Sequence, residues 1–118
     1  MIPLLEILSH NRRLRYLNLS WNALTESGDS IEQQEVVLAL LGRLIKFNTK
    51  FLHFDLSGCG LTSFILHEFG KQLKRSRSLL SIHLSGNPGL DQAGREYLRN
   101  RIVARPNEDI ERFKRIKL

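Results

Sequence analysis

One short pattern of apolar residues occurs three times along the chain, and such a repeat constrains the fold more than any other feature. Each copy reads apolar-x-x-apolar-x-Leu-x-x-Asn/Cys, and another leucine follows within three residues. The copies lie near residues 14–24, 51–61 and 79–90. Because apolar residues alternate with a period of two in each copy, the pattern predicts three short β-strands.

Between the copies the apolar period lengthens to nearly four residues, which predicts a helix between successive strands. Since a single strand–helix unit cannot cover its own apolar face, we expect neighbouring units to stack. The apolar positions that recur before each copy are Leu4, Leu8, Val37, Leu41, Ile45, Ile65, Phe69 and Leu73.

The spacing of the copies indicates an insertion. Leu14 and Phe51 are 37 residues apart, whereas Phe51 and Leu79 are 28 residues apart. The longer step contains a polar, acidic stretch at residues 26–35. We expect this stretch to be an inserted acidic loop, or an early extension of the following helix, that lies outside the core.

The pattern resembles the leucine-rich repeat family, and the 28-residue step is similar to its ribonuclease-inhibitor-like subclass. The resemblance covers roughly residues 2–102. It implies an α/β solenoid, a short right-handed β-α horseshoe with parallel strands on the concave face and helices on the convex face. An ordinary α/β domain is the alternative, but it does not explain why every apolar column is kept. We expect a repeat array at residues 1–104, from the C-terminal end of a longer array.

The two ends of this array look different. Residues 105–118 lack the strand motif, and Asn107 is suited to the N-cap of a short helix that covers the last repeat. At the other end, the helix at residues 2–9 is apolar on several sides. We therefore expect another protein, a second copy of the chain or further repeats to cover Ile2, Leu5 and the N-terminal face.

Asn22, Cys59 and Asn87 share one motif position. The resemblance implies that this residue points inward at the end of the strand and bonds backbone groups that the bend leaves unpaired. An amide has donors and an acceptor for this task, and a thiol is a weaker substitute that packs well. We therefore expect Cys59 to be structural rather than reactive.

The resemblance also implies that exposed strand positions form the contact surface. A metal site at His53, Asp55 and His83 would need further ligands that are not evident, so we expect a solvated ion pair or hydrogen bond there. Serine, histidine and aspartate occur on the same face, but no nucleophile elbow or oxyanion hole is indicated, so we predict no catalytic residues and no cofactor. Trp21 would either anchor a partner or cover the turn. The predicted partner-binding residues are Tyr16, Asn18, Trp21, His53, Asp55, Ser81 and His83.

The chain has 18 lysines and arginines against 12 acidic residues, a formal charge of +6. Many of these cations fall at the C-terminal ends of the predicted helices, where the helix dipole favours positive charge. An acidic protein partner is the functional alternative, and nucleic acid is a third, less favoured one because aromatic residues do not interleave with the cations. This basic edge would contain Arg43, Lys46, Lys50, Lys74, Arg75 and Arg77.

These features favour a non-enzymatic protein-interaction scaffold that binds through the concave face or the open N-terminal end. The single cysteine and the lack of a signal peptide or apolar span favour an intracellular, cytoplasmic location without membrane contact. Two alternatives stay open. One is a GTPase-activating regulator similar to Ran GTPase-activating proteins, and the other is a structural subunit of an axonemal or ribonucleoprotein assembly.

Overall fold

The computed structural model describes residues 2–26, 28–75, 81–103 and 116–117. Helices and strands alternate along the chain, as the change in apolar period predicts. The elements are α1 (Ile2–Ser9), β1 (Tyr16–Asn18), α2 (Ile31–Phe47), β2 (His53–Asp55), α3 (Ser63–Arg75), β3 (Ser81–His83), α4 (Gln92–Val103) and β4 (Ile116–Lys117).

The strands form one parallel sheet in the order β1-β2-β3-β4. Tyr16 is paired with His53, and His53 with Ser81, so the register reproduces the steps of 37 and 28 residues. The alignment of the three sequence copies is therefore confirmed. Helix α1 packs on α2, α2 on α3, and α3 on α4. The result is a mixed α/β architecture in which each of the first three strands is followed by a helix.

The core lies between the sheet and the helices. The central residue of each inner strand, Phe54 and Ile82, is fully buried, and so are the helix residues Leu41 and Phe69 that the spacing predicted. Burying an aliphatic or aromatic side chain of this size stabilises the fold by about 1.5–3 kcal/mol. The leucines of the repeated motif were all expected in the core, and Leu17 is only half-buried. The motif positions that are buried on strands and turns are Leu19, Leu24, Leu56, Cys59, Leu61, Leu84 and Leu90.

Helix α1 is rotated relative to the prediction. Leu4, which the repeat spacing placed in the core, is 44% exposed, and its neighbour Leu5 is 0% exposed. Leu5 and Ser9, four residues apart, are the buried positions of this helix, so its inward-facing stripe is one residue later than the repeat spacing predicts. The expectation that Leu5 faces a partner is therefore wrong.

Of the two alternatives for residues 26–35, a loop or an early extension of the following helix, the helical extension is found from Ile31, where α2 begins. Ser30 is the N-cap: its hydroxyl accepts a hydrogen bond from the Gln33 amide at 3.1 Å, and the Gln33 side chain accepts one from the Ser30 amide at 2.8 Å. This capping box satisfies two backbone donors and starts the helix early. Gln34 is buried and accepts a hydrogen bond from the Thr62 hydroxyl, so this part of the insertion belongs to the packed structure.

The C-terminal segment also differs from the prediction at the two positions that the structure describes. Residues 104–115 and 118, including the predicted N-cap Asn107, lie outside the described residues. Ile116 and Lys117 form β4, which pairs with β3 through Ile82–Ile116 and His83–Lys117. The prediction of a helix is therefore wrong at these two positions. A strand there pairs with the edge of β3, whose backbone groups would otherwise lack sheet partners.

Candidate functional site

Six side chains from the first three strands share the sheet face that points away from the core. Because side chains alternate along a strand, the residues on either side of buried Phe54 and Ile82 all lie on this outer strand face. The register places them in two rows, and all six belong to the predicted partner-binding residues. The rows are Tyr16, His53 and Ser81, followed by Asn18, Asp55 and His83.

The outer strand face carries stacking and hydrogen-bonding groups. The Tyr16 and His53 rings are stacked, with centroids 5.0 Å apart and planes 8° from parallel. The Ser81 hydroxyl and a ring nitrogen of His83 are 3.4 Å apart. A shallow depression of about 370 Å³ on this face is lined by Tyr16, Leu17, Asn18, His53, Phe54, Asp55 and His83.

Asp55 does not bond to His83, contrary to the expectation of an ion pair or hydrogen bond. Its carboxylate accepts a hydrogen bond from the Ser57 amide at 2.9 Å, just as the Asn18 side chain accepts one from the Ser20 amide at 2.9 Å. Both side chains thus hold the chain as it leaves the strand. Among the described residues, no group of three or more histidine, cysteine, aspartate or glutamate side chains is arranged to hold a metal ion.

Trp21 lies at the edge of this face and adopts a left-handed backbone conformation, with φ of 61°. Gly58 and Gly86 stand at the same motif position with φ of 62° and 75°, where glycine costs no strain. The indole ring lies across Gly58, because a Cβ built there would come within 2.2 Å of a ring carbon, and it reaches Gly86. The ring therefore covers the two neighbouring turns, yet it remains 76% exposed.

The shared asparagine position has the predicted inward role at Asn87. This side chain is buried, and its oxygen accepts hydrogen bonds from the amides of Cys59 and Leu61 at 2.9 and 3.0 Å. Its nitrogen donates to the carbonyls of Leu56 and Leu84 at 2.9 and 2.7 Å. The prediction that this residue bonds backbone groups of the bend is confirmed at Asn87.

Cys59 is a buried free thiol that donates a hydrogen bond to the Leu19 carbonyl at 3.1 Å. Burial raises the pKa of the thiol above its ordinary value, which disfavours the nucleophilic thiolate. Hydrogen bonding and burial together support the predicted structural role.

The first repeat is more open than the second. Leu14 and Leu17 are half-buried, whereas Phe51 and Phe54 at the corresponding positions of the second repeat are fully buried. On the adjoining helix, Leu4 and Ile7 are exposed, Ile7 to 70%. We call this surface the N-terminal face; it comprises Leu4, Ile7, Leu14 and Leu17.

Two family models, each described as a leucine-rich repeat, match the chain at residues 10–28 and 50–72. Both matched segments contain a strand and the turn that follows it. These matches support a leucine-rich repeat protein. Leucine-rich repeat domains generally mediate protein–protein interaction, and proteins built from them are generally non-enzymatic scaffolds. A search of curated proteins found no significant relative.

Asn22 differs from Asn87, although the two share one motif position. It is exposed, and its amide nitrogen donates only to the Leu19 and Ser20 carbonyls of its own repeat, at 3.1 and 3.2 Å. No described residue donates to its oxygen. The expectation of an inward-pointing Asn22 is wrong because the donors that Asn87 uses come from the preceding repeat, and β1 is the first described strand.

The predicted basic edge is described only in part. Arg43, Lys46 and Lys50 are exposed in the C-terminal half of α2 and the loop after it. Lys74 and Arg75 end α3, but the placement of their side chains, like Arg77 as a whole, lies outside the described residues. No helix in the described part of the chain has the length and hydrophobicity needed to cross a membrane.

Proposed function

We propose that this chain is a non-enzymatic protein-interaction module that binds a protein partner across its N-terminal face and the adjoining outer strand face. The observation that carries the proposal is the contrast between equivalent positions of two repeats. Leu14 and Leu17 are half-open, whereas Phe51 and Phe54 are closed by the repeat before them. A surface shaped to receive a neighbour is thus left open at the first repeat.

Large exposed apolar side chains are concentrated at this end of the molecule. Exposed aromatic and aliphatic side chains that lie close together are typical of protein-interaction surfaces. Covering even two of them would contribute about 3–6 kcal/mol, which corresponds to a dissociation constant between about 6 mM and about 40 μM before binding costs. The exposed members in the first helix, strand and turn are Leu4, Ile7, Tyr16 and Trp21.

Polar residues of the outer strand face would give such a partner specificity. In the solenoid we infer, this face is the concave one, and its groups can accept or donate hydrogen bonds without large rearrangement because the sheet fixes their spacing. Trp21 and the stacked Tyr16 supply rigid apolar area at the rim. The polar contributors are Asn18, His53, Asp55, Ser81 and His83.

The step of 28 residues between β2 and β3, with one helix between them, supports assignment to the ribonuclease-inhibitor-like subclass. The single cysteine of the chain is a buried free thiol, which supports an intracellular, cytoplasmic location. Detection of the tagged full-length protein in a secreted fraction would contradict this location.

Cross-linking mass spectrometry on complexes of the tagged chain locates the residues that contact the partner. Titration of the purified partner then measures the affinity of the wild type and of the variants. We expect Ile7→Lys to weaken binding by at least tenfold, because a charge must then be buried against apolar groups. Val36→Lys is the matched control, since Val36 is an exposed apolar residue on α2. It should bind as the wild type does.

The opposite result would contradict the proposed site. If Val36→Lys weakens binding and Ile7→Lys does not, the partner occupies another surface. We expect both variants to fold, because both replaced side chains are exposed. Circular dichroism checks this.

A further inference from the structure

A second surface carries positive charge that no described carboxylate neutralises. Two segments, residues 10–15 and 43–50, contain six basic residues and no acidic residue. All six side chains are exposed. We call this surface the basic cluster; it comprises Arg12, Arg13, Arg15, Arg43, Lys46 and Lys50.

The two segments of the basic cluster are in contact. The amide of Leu14 donates a hydrogen bond to the buried Asn48 side chain at 2.9 Å, which joins the loop after α1 to the end of α2. The Arg12 guanidinium carbon lies 5.6 Å from the centroid of the Phe47 ring. The six cations therefore belong to one continuous surface rather than to two separate loops.

Phe47 gives the basic cluster an aromatic centre. Its ring is 39% exposed, and the Lys46 ammonium lies 5.6 Å from the ring centroid, as far as Arg12 does. A surface aromatic ring flanked by cations is the combination with which proteins bind single-stranded nucleic acid. The cations follow the phosphates, and the ring stacks on a base.

The helix dipole does not account for this arrangement. It favours Lys46 in the last turn of α2, but the effect falls off within that turn, and Arg12, Arg13 and Arg15 lie in a loop. None of the six forms an ion pair with a described carboxylate. The nearest acidic residues on α2, Glu32 and Glu35, lie near its opposite end.

We propose that the basic cluster and Phe47 bind single-stranded nucleic acid, with phosphates contacting the cations and a base stacking on the Phe47 ring. An acidic protein would use the cations but would have no need of an exposed ring between two of them. This surface is distinct from the N-terminal face, because none of its residues belongs to that face.

The proposal is tested by fluorescence anisotropy with a labelled oligouridine RNA of about 15 nucleotides, measured over a range of salt concentrations. Phe47→Leu keeps an apolar side chain but removes the ring, and should weaken binding about tenfold without changing the salt dependence. The logarithm of the affinity falls as the logarithm of the salt concentration rises. The double variant Arg12→Gln/Lys46→Gln loses two phosphate contacts and should reduce the magnitude of this slope by about 1.4.

The control is Arg95→Gln/Arg99→Gln, which removes the same charge from α4 and should leave binding nearly unchanged. Equal weakening by the control and Arg12→Gln/Lys46→Gln would show attraction by net charge alone and would overturn the proposal. Tighter binding to polyglutamate or to phosphatidylserine vesicles than to the RNA would also overturn it. If Phe47→Leu binds the RNA as tightly as the wild type does, no base stacks on the Phe47 ring. The proposal would then be overturned, because stacking is the reason for preferring nucleic acid to an acidic protein.

Discussion

At the scale of single residues, Asn87 and Asn22 have the same motif position but unequal surroundings. Replacing Asn87 by alanine leaves the buried amides of Cys59 and Leu61 without an acceptor. We expect a loss of about 1–3 kcal/mol in the free energy of unfolding. Asn22→Ala should cost under about 1 kcal/mol, because that side chain is exposed and water can replace its bonds. Urea denaturation measures both, and equal losses would contradict the unequal roles.

The residue scale also marks what the sequence can predict. The motif identified Cys59 and Asn87 as inward-facing because their backbone partners come from neighbouring repeats that are present. It failed at Asn22 because the motif does not say whether a described strand precedes the residue, and β1 is the first described strand. The two rows of the outer strand face followed from the register, but the role of Phe47 depends on a loop contact with Arg12 that no pattern indicates.

At the scale of elements, the N-terminus of α2 offers a direct prediction. Ser30→Ala removes the hydroxyl that accepts the Gln33 amide hydrogen bond, and should cost about 1 kcal/mol. Glu35→Ala, at an exposed position of the same helix, is the control and should change stability by less than about 0.5 kcal/mol. Thermal unfolding monitored by circular dichroism compares them. Similar melting temperatures would show that the cap does not stabilise the helix.

The elements were predictable where the apolar period was clear. Helices α2, α3 and α4 and the first three strands follow from periodicity, because stacking repeats reuse the same columns. The start of α2 was also readable, since serine followed three residues later by glutamine is a capping-box signature. The rotation of α1 could not be predicted, because apolar residues at positions 4, 5, 7 and 8 fit more than one inward-facing stripe. Strand β4 was not readable either, because its pairing depends on the edge that β3 presents.

At the scale of the whole molecule, the surfaces divide by chemistry. The N-terminal face and Trp21 are apolar and open, the outer strand face is polar with stacked rings, and the basic cluster is cationic. The residues proposed for a protein partner and for a nucleic acid are different, and the two surfaces adjoin at Leu14, which lies between Arg13 and Arg15.

The central claim is that a protein partner covers the open first repeat, and hydrogen–deuterium exchange of the free and partner-bound chain tests it most directly. Backbone amides exchange slowly when they are buried or hydrogen-bonded. We predict that binding slows exchange in residues 4–8 and 14–22, while α2 around Val36 exchanges as it does in the free chain. Slowed exchange around Val36, with residues 4–8 and 14–22 unchanged, would contradict the account.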